Sequence, residues 1–540
     1  MRATALPPDK LSPDLASGPR SAMVRVIVQF HRAPDAGDLV KIAERGGTFR
    51  KSLRTIRAAV FTLPAAAAAA IAADPNVRYI SPDRPLTAML EFAAPAVGAD
   101  MAFNLGWTGS GVGVAVLDSG IASEHSDLKP RVVYAQNFVP DGSGTEDPYG
   151  HGTHVAGIIG GNGMASSGPS YTITFRGIAP RANLINLRVL DINGQSSDSV
   201  VISAIERSIE LKSAYNIRVL NLSLGRTIRE SYTLDPLCQA VQRAWEAGLV
   251  VVAAAGNNGR DNSMGTGGYA TITSPGNSPY AITVGAMKDL SSITRSDDLM
   301  ASYSSKGPTL LDHVVKPDLV APGNNIVSAL ASGAAVRDLY PNNVVPVSYY
   351  KVNNTSNLSS FYFRLSGTSM ATPMVSGAAA LLLQKQPSLT PDQVKARLMK
   401  TATKNFPSTS TAIDPVTGLT HQVTYDLFTV GAGYLDIVAA LNDSESATGS
   451  AASPTASFNS TTGVTSVVMA PGSVWNSAVI WGTAVIWGTS VMVNDTAVIW
   501  GTAVIWGTTS SEAMAVIWGT AVIWGTGQSP PEVVSVRGET

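Results

Sequence analysis

The chain holds a single cysteine, Cys238, in 540 residues, which excludes an internal disulfide framework and a cysteine-held zinc or iron–sulfur centre. Charge is scarce as well. Only 14% of residues are charged, and 38 cations against 39 anions leave a net charge of -1, so nothing favours nucleic acid or an anionic membrane as partner. No apolar run approaches the roughly 18 residues that a membrane span needs. The longest, Ala65–Ala73 and Leu249–Ala255, fall far short. The first twenty residues, MRATALPPDKLSPDLASGPR, put prolines and charges where a secretion signal has its apolar segment, so no signal peptide is visible.

Glycine is plentiful, at 49 residues, and 45% of the chain is apolar, which describes a neutral globular protein too long for one domain. Three compositional regions follow a short extension over 1–20. Within 21–90, the runs VRVIVQF (24–30), AAVFTL (58–63) and VRYISPD (77–83) read as strands, separated by a basic segment over 41–57 and an Ala-rich helix. That is the pattern of a small α/β domain. RPLTAMLEFAAPAVGAD at 84–100 has little periodicity and reads as a linker.

Over 95–441, apolar strands that end in Asp, Asn, Ser or Gly alternate with helical segments: VGVAVLDSG (112–120), ANLINLRVLD (182–191), IRVLNLSLG (217–225), LVVVAAAGN (249–257) and YAITVGA (280–286). Such runs predict a mostly parallel sheet covered by helices on both faces. Ligands bind such sheets beyond the carboxyl ends of the strands, which brings Asp118, Ser223 and Asn257 forward as candidates.

The final hundred residues have yet another composition. Lysine is absent after Lys404, and 442–470 is rich in Ser, Thr, Ala and Gly, as a flexible linker is. Over 471–526 the hexapeptide AVIWGT recurs, carrying Trp481, Trp487, Trp500, Trp506, Trp518 and Trp524, with Trp475 in a degenerate copy; a tail over 527–540 follows. An even period keeps each side chain on one face of an extended strand, so the repeat is β-type if it folds and otherwise a low-complexity extension.

Four segments in the central region carry chemistry. Asp118 ends VAVLDSG, His151 stands in YGHGTHVAGIIG, Asn257 follows VVAAAG, and Ser369 opens the helical LSGTSMATPMVSGAAALLL. A serine hydroxyl needs an imidazole to take its proton, and the imidazole needs a carboxylate to fix its tautomer. In residue type and order these segments resemble the subtilisin-like serine proteases, the subtilases; subtilisin is itself the standard example of the order Asp, His, Ser. SLG (223–225), KPDLVAPG (316–323) and VGAGYLD (430–436) extend the resemblance over about 95–441, and residues 24–85 resemble the family's inhibitory propeptide.

The resemblance implies a three-layer α/β subtilisin-like fold and a serine endopeptidase made as an autoprocessed precursor. It implies Ser369 as nucleophile, His151 as general base and acid, Asp118 as its partner, and Asn257 as oxyanion donor. Extended polypeptide would pair along Ser223, Leu224 and Gly225, against a pocket walled by Ala254, Ala255 and Gly256. The propeptide would be an intramolecular inhibitor, and the enzyme would be secreted. No cofactor is needed for this chemistry. The family often binds calcium, and Asp127 in SEHSDL matches one ligand, but 168–180 lacks the Asn-rich loop that completes that site.

Competing readings are weaker on the residues. His151 and His154 are three apart, yet neither HExxH nor a cysteine completes a zinc set, so His154 reads as structural. A lipase or esterase would have GxSxG with its acid and base after the serine, whereas here both precede it. A catalytically silent binding protein would not need all three triad residues. The insertion YPNNVVPVSYYKVNNTSNLSSFYF between APG (321–323) and GTS (367–369) alternates Tyr, Val and Phe as an added hairpin does.

Overall fold

The computed structural model describes residues 10, 11, 15, 23–53, 57–82, 92–142, 144–352, 357–414, 418–459, 464–476, 491–493 and 539. They fall in two compact units, Met1–Ala88 and Met89–Thr540.

In the first unit, strands β1 (Met23–Phe30), β2 (Thr48–Leu53), β3 (Ala58–Pro64) and β4 (Val77–Pro82) form an antiparallel sheet in the order β2-β3-β1-β4. The alternation of β1 puts Val26, Val28 and Phe30 on the buried face, as a half-buried strand requires. Helix α1 (Ala36–Ala43) starts at a reciprocal cap, in which Asp38 N donates to Asp35 Oδ1 at 3.0 Å and Asp35 N to Asp38 Oδ2 at 3.1 Å. The short Ala-rich helix α2 (Ala68–Ala72) closes the core with Ile71. Strand β2 arises within the basic segment, which showed no strand pattern. Leu11 bridges to Ile80 and Leu15 packs into this core, so these two residues of the 1–20 extension belong to the unit.

The second unit is built on an eight-stranded sheet. Its strands are β5 (Gly113–Asp118), β6 (Val132–Asn137), β7 (Asn183–Arg188), β8 (Ile217–Leu222), β9 (Val250–Ala254), β10 (Ile282–Lys288), β11 (Leu299–Met300) and β12 (Leu319–Pro322). The order is β11-β10-β9-β8-β5-β7-β6, with β12 also beside β10, and every pairing except β10 with β11 is parallel. Helices α3 (His151–Gly160) and α6 (Thr368–Lys385) pack together over the central strands, while α4 (Asp198–Glu210) and α5 (Pro236–Glu246) form a second helical pair. The central strands are buried throughout, which is why their sequences run apolar without alternation. Cys238 on α5 is buried in this packing.

The insertion forms more than a hairpin. Strands β14 (Val344–Pro346) and β15 (Leu358–Leu365) pair, and β15 pairs on its other edge with β13 (Ile326–Ala329). Val345, Tyr350 and Tyr362 pack with Ile173 and Phe175 into a separate aromatic core.

Two linker expectations are corrected by the structure. From Ala93 the stretch 84–100 enters two short helices, Ala93–Ala96 and Ala99–Asn104, which bury Ala93, Ala94, Ala96, Ala99 and Ala102 on the core through their small side chains. Residues 442–470, expected as a flexible linker, include the strands Thr455–Asn459 and Val464–Val468, paired antiparallel, and Val491–Val493 adds a parallel strand. The physical reason is the smallness that suggested a linker: Ala451 and Ala456 lie flat on the core, and Ser453 Oγ donates to the buried Asp318 at 2.7 Å. Lys316 and Lys395 also pair with Asp318, at 2.7 and 3.0 Å, so this segment closes over a buried charge cluster. Trp475, beyond it, is 2% exposed and donates Nε1–H to Ala452 O at 2.7 Å. The AVIWGT copies from Trp481 to Trp524 lie outside the described residues.

Candidate active site

The topology brings the carboxyl ends of β5, β8 and β9 together beside the N-termini of α3 and α6. Asp118 is the last residue of β5 and His151 the first of α3. Their approach depends on Gly152, where a Cβ would lie 2.2 Å from Gly120 O and 3.0 Å from Asp118 Cβ. With hydrogen there, His151 Nδ1 reaches Asp118 Oδ1 at 2.7 Å, and both side chains are nearly inaccessible.

A second buried acid stands behind this pair. Asp147 Oδ1 accepts from Gly150 N at 2.6 Å and from Ser119 Oγ at 2.7 Å, and its Oδ2 accepts from Thr153 N at 2.7 Å. Ser119 Oγ in turn accepts from Gly152 N at 2.9 Å, and Ser119 N donates to Asp118 Oδ1 at 2.8 Å. Asp147 and Ser119 thus clamp the first turn of α3 to the end of β5. Neither residue stands out in the sequence, where the available signal is an acid four residues before His151 in DPYGHGTH.

Burial opposes charging His151, but the Asp118 carboxylate, by charge and by hydrogen bond, and the charge of Asp147 outweigh it and hold the imidazole above its ordinary value. Burial drives Asp147 the other way, above the usual carboxylate range, against its three hydrogen-bond donors. His151 Nε2 is buried and makes no hydrogen bond among the described residues. His154 points elsewhere: its Nε2 lies 3.1 Å from Ile326 O and 3.2 Å from Phe363 O, fastening α3 to β13 and β15, and burial lowers its pKa to about 3.

Ser369, near the start of α6, is buried and donates its hydroxyl to Ser223 O at 3.2 Å. The Ser223 hydroxyl donates back to Ser369 O at 2.9 Å and accepts from Asn221 Nδ2 at 3.0 Å, while Ser376 Oγ donates to Asn221 Oδ1 at 2.8 Å. These bonds lock α6 onto β8. Asn257 Oδ1 accepts from Thr368 N at 2.9 Å and from Thr368 Oγ1 at 3.2 Å, which turns the amide nitrogen toward Gly367. Gly367 has φ 151° and ψ 162°, a conformation confined to glycine, and a Cβ there would lie 3.4 Å from Asn257 Nδ2 and 3.7 Å from Ser369 N. The missing side chain leaves a space bordered by two N–H donors.

The expected substrate-contacting residues divide by exposure. Leu224 and Gly225 are half-buried at the end of β8, whereas Ser223, Ala254, Ala255 and Gly256 are buried, with Gly256 N donating to Thr368 Oγ1 at 3.2 Å. Asp127, the calcium candidate, has donors for partners: Ala165 N reaches Oδ1 at 2.7 Å and Tyr362 Oη reaches Oδ2 at 2.7 Å. A cation needs oxygen acceptors, so the groups at Asp127 do not fit one. Among the described residues no group of three or more His, Cys, Asp or Glu side chains is arranged to hold a metal, and no helix is long and apolar enough to cross a membrane.

Residues 109–433 match the family described as the Subtilase family. The chain belongs to the subtilases. It is 40% identical over 342 residues to serine protease AprX of Bacillus subtilis, covering 61% of this chain and 70% of that protein. Subtilisin E of the same organism is 34% identical over 396 residues, covering 72% and 87% respectively. An alkaline protease of Shouchella clausii is 37% identical over 337 residues, covering 62% and 71%. This subtilase is a serine endopeptidase acting through an Asp-His-Ser triad.

Proposed function

We propose that Ser369 is the nucleophile of this endopeptidase, His151 its general base and acid, Asp118 the carboxylate that orients and charges His151, and Asn257 the side-chain oxyanion donor. The observation that carries the assignment is the 2.7 Å bond from His151 Nδ1 to Asp118, with Nε2 buried and without a hydrogen-bond partner among the described residues. With Nδ1–H held by Asp118, Nε2 is the basic nitrogen. The Ser369 hydroxyl leaves the Ser223 carbonyl, passes its proton to Nε2, and Oγ bonds to the scissile carbonyl carbon. The carbonyl oxygen, now negative, enters the space beside Gly367, where Asn257 Nδ2–H and Ser369 N–H stabilise it at the positive end of α6. His151 then returns the proton to the departing amine, leaving an acyl-serine that water hydrolyses by the same steps.

Substrate would lie extended along Ser223, Leu224 and Gly225, read mainly through its backbone, with a side chain against Leu224 and Ala254–Gly256. Because Ala254 and Ala255 are buried in the sheet, their part is backbone and small volume, which suits broad polypeptide substrates. No cofactor enters the chemistry. Residues 21–90 would be the inhibitory propeptide, removed by self-cleavage between about Asp83 and Pro95 before action outside the cell, and the AVIWGT region would be dispensable for hydrolysis.

The test is covalent labelling. A sulfonyl fluoride should abolish casein hydrolysis in proportion to label found by peptide mapping on Ser369. Stoichiometric inactivation with the label on another residue would overturn the assignment.

A further inference from the structure

Glu539 lies beyond the repeats, in the stretch VSVRGET, where nothing in the sequence pattern predicts burial. Its side chain is nevertheless fully enclosed in the second unit. The backbone is recognised in both directions: Glu539 N donates to Asn324 Oδ1 at 2.9 Å, Asn324 Nδ2 donates to Glu539 O at 3.0 Å, and Asn325 Nδ2 approaches the same oxygen at 3.4 Å. The carboxylate accepts from Ser302 N at 3.1 and 3.2 Å, from Ser302 Oγ and from the Arg260 guanidinium, and Lys288 Nζ lies 3.4 Å away. Two cations and a backbone amide around one carboxylate make a site for an acid rather than for a neutral amide.

The groups of this pocket stand on the framework of the catalytic fold. Lys288 ends β10, Ser302 follows β11, and Asn324 and Asn325 connect β12 to β13. The walls are also those of the active site. Arg260 is three residues beyond Asn257, Gly367 N donates to Gly323 O at 2.8 Å, and Asn325 N donates to Ser366 Oγ at 2.8 Å.

We propose that this pocket is a binding site for an acidic side chain carried on a polypeptide backbone, and that Glu539 is its occupant in cis, anchoring the segment after the repeats to the catalytic unit. The repeats are then bounded in sequence by two residues packed on that unit, Trp475 and Glu539. The proposal does not depend on which residue is the nucleophile, because every contact in it is made away from Ser369 and His151.

Trypsin provides a direct probe, since Arg537 stands two residues before Glu539. Cleavage after Arg537 needs the following residues extended in the protease cleft, which a buried Glu539 forbids. The full chain carrying Ser369→Ala, to prevent self-digestion, is treated with trypsin, and release of the peptide 538–540 is followed by mass spectrometry. Glu539→Gln keeps the shape and removes the charge, and should raise the release rate by about tenfold or more, the scale of a charge-assisted hydrogen bond to a buried group. Arg260→Ala should do the same, and the two together should release no faster than the faster single variant within about twofold, because both remove one interaction. Equal release rates in the parent and Glu539→Gln, or strictly multiplicative effects of the two substitutions, would overturn the proposal. A peptide of sequence VSVRGET should also bind a chain ending at Val533 more tightly than VSVRGQT does; equal binding, or none, would count against the pocket as an acid-recognising site.

Discussion

The Tyr362 hydroxyl donates to the Asp127 carboxylate at 2.7 Å and lies 2.8 Å from Ser166 Oγ, although Tyr362 and Asp127 are 235 residues apart. The insertion therefore completes the environment of an acid that would otherwise be buried with one donor fewer. Asp127 also accepts from Ala165 N, and Phe175 and Tyr350 surround the Tyr362 ring.

Tyr362→Phe keeps the ring and removes the donor. It should lower stability by about 1–3 kcal/mol, the cost of leaving a buried acceptor short of a partner, and calcium should not restore it, since the remaining groups at Asp127 are donors. Thermal unfolding of the two proteins, each with calcium and with chelator, gives the comparison. An unchanged Tm, or full recovery with calcium, would contradict the role given to Tyr362.

The pH dependence of hydrolysis follows from the groups around His151. Activity requires the neutral imidazole, and although burial disfavours the charged form, Asp118 and Asp147 raise the pKa above 6.5. The acid limb of kcat/KM should accordingly have its midpoint above 6.5. The corresponding stability term has the sign of a raised pKa: it is complete below the unfolded value and fades as pH rises through the folded one. In Asp118→Asn the main opponent of burial is gone, so the limb of the residual activity should move to lower pH. A midpoint at or below 6.5 in the parent, or no movement in the variant, would contradict this electrostatic reading.

The strands that carry the candidate site were legible because full burial makes them apolar from end to end. The run 112–120 contains β5, 217–225 contains β8, and 249–257 contains β9, with Asp118, Ser223 and Asn257 at or just past their ends. Strand β6 at the sheet edge was not legible, since Val132–Asn137 mixes half-buried and exposed positions. Ser119 and Asp147 were missed because their work is done by hydrogen bonds to the backbone of α3, and the one local signal, an acid four residues before His151, does not by itself specify such a clamp. The fold of 442–470 was misread for a related reason: Ala451, Ser453 and Ala456 pack by being small, and smallness in sequence looks the same as flexibility. Glu539 is buried by ion pairing across the fold with Arg260 and Lys288, a relation with no local pattern at all.

On the proposed roles, Ser369, His151 and Asp118 act as one catalytic unit. The most direct measurement is kcat on a peptide substrate for Ser369→Ala, His151→Ala and the double variant, with folding verified for each. Each single change should cost about 10⁶-fold, the loss known for the corresponding residues of subtilisin, and the double variant should be scarcely worse than either. Losses that multiply in the double variant, or casein hydrolysis that survives Ser369→Ala, would contradict it.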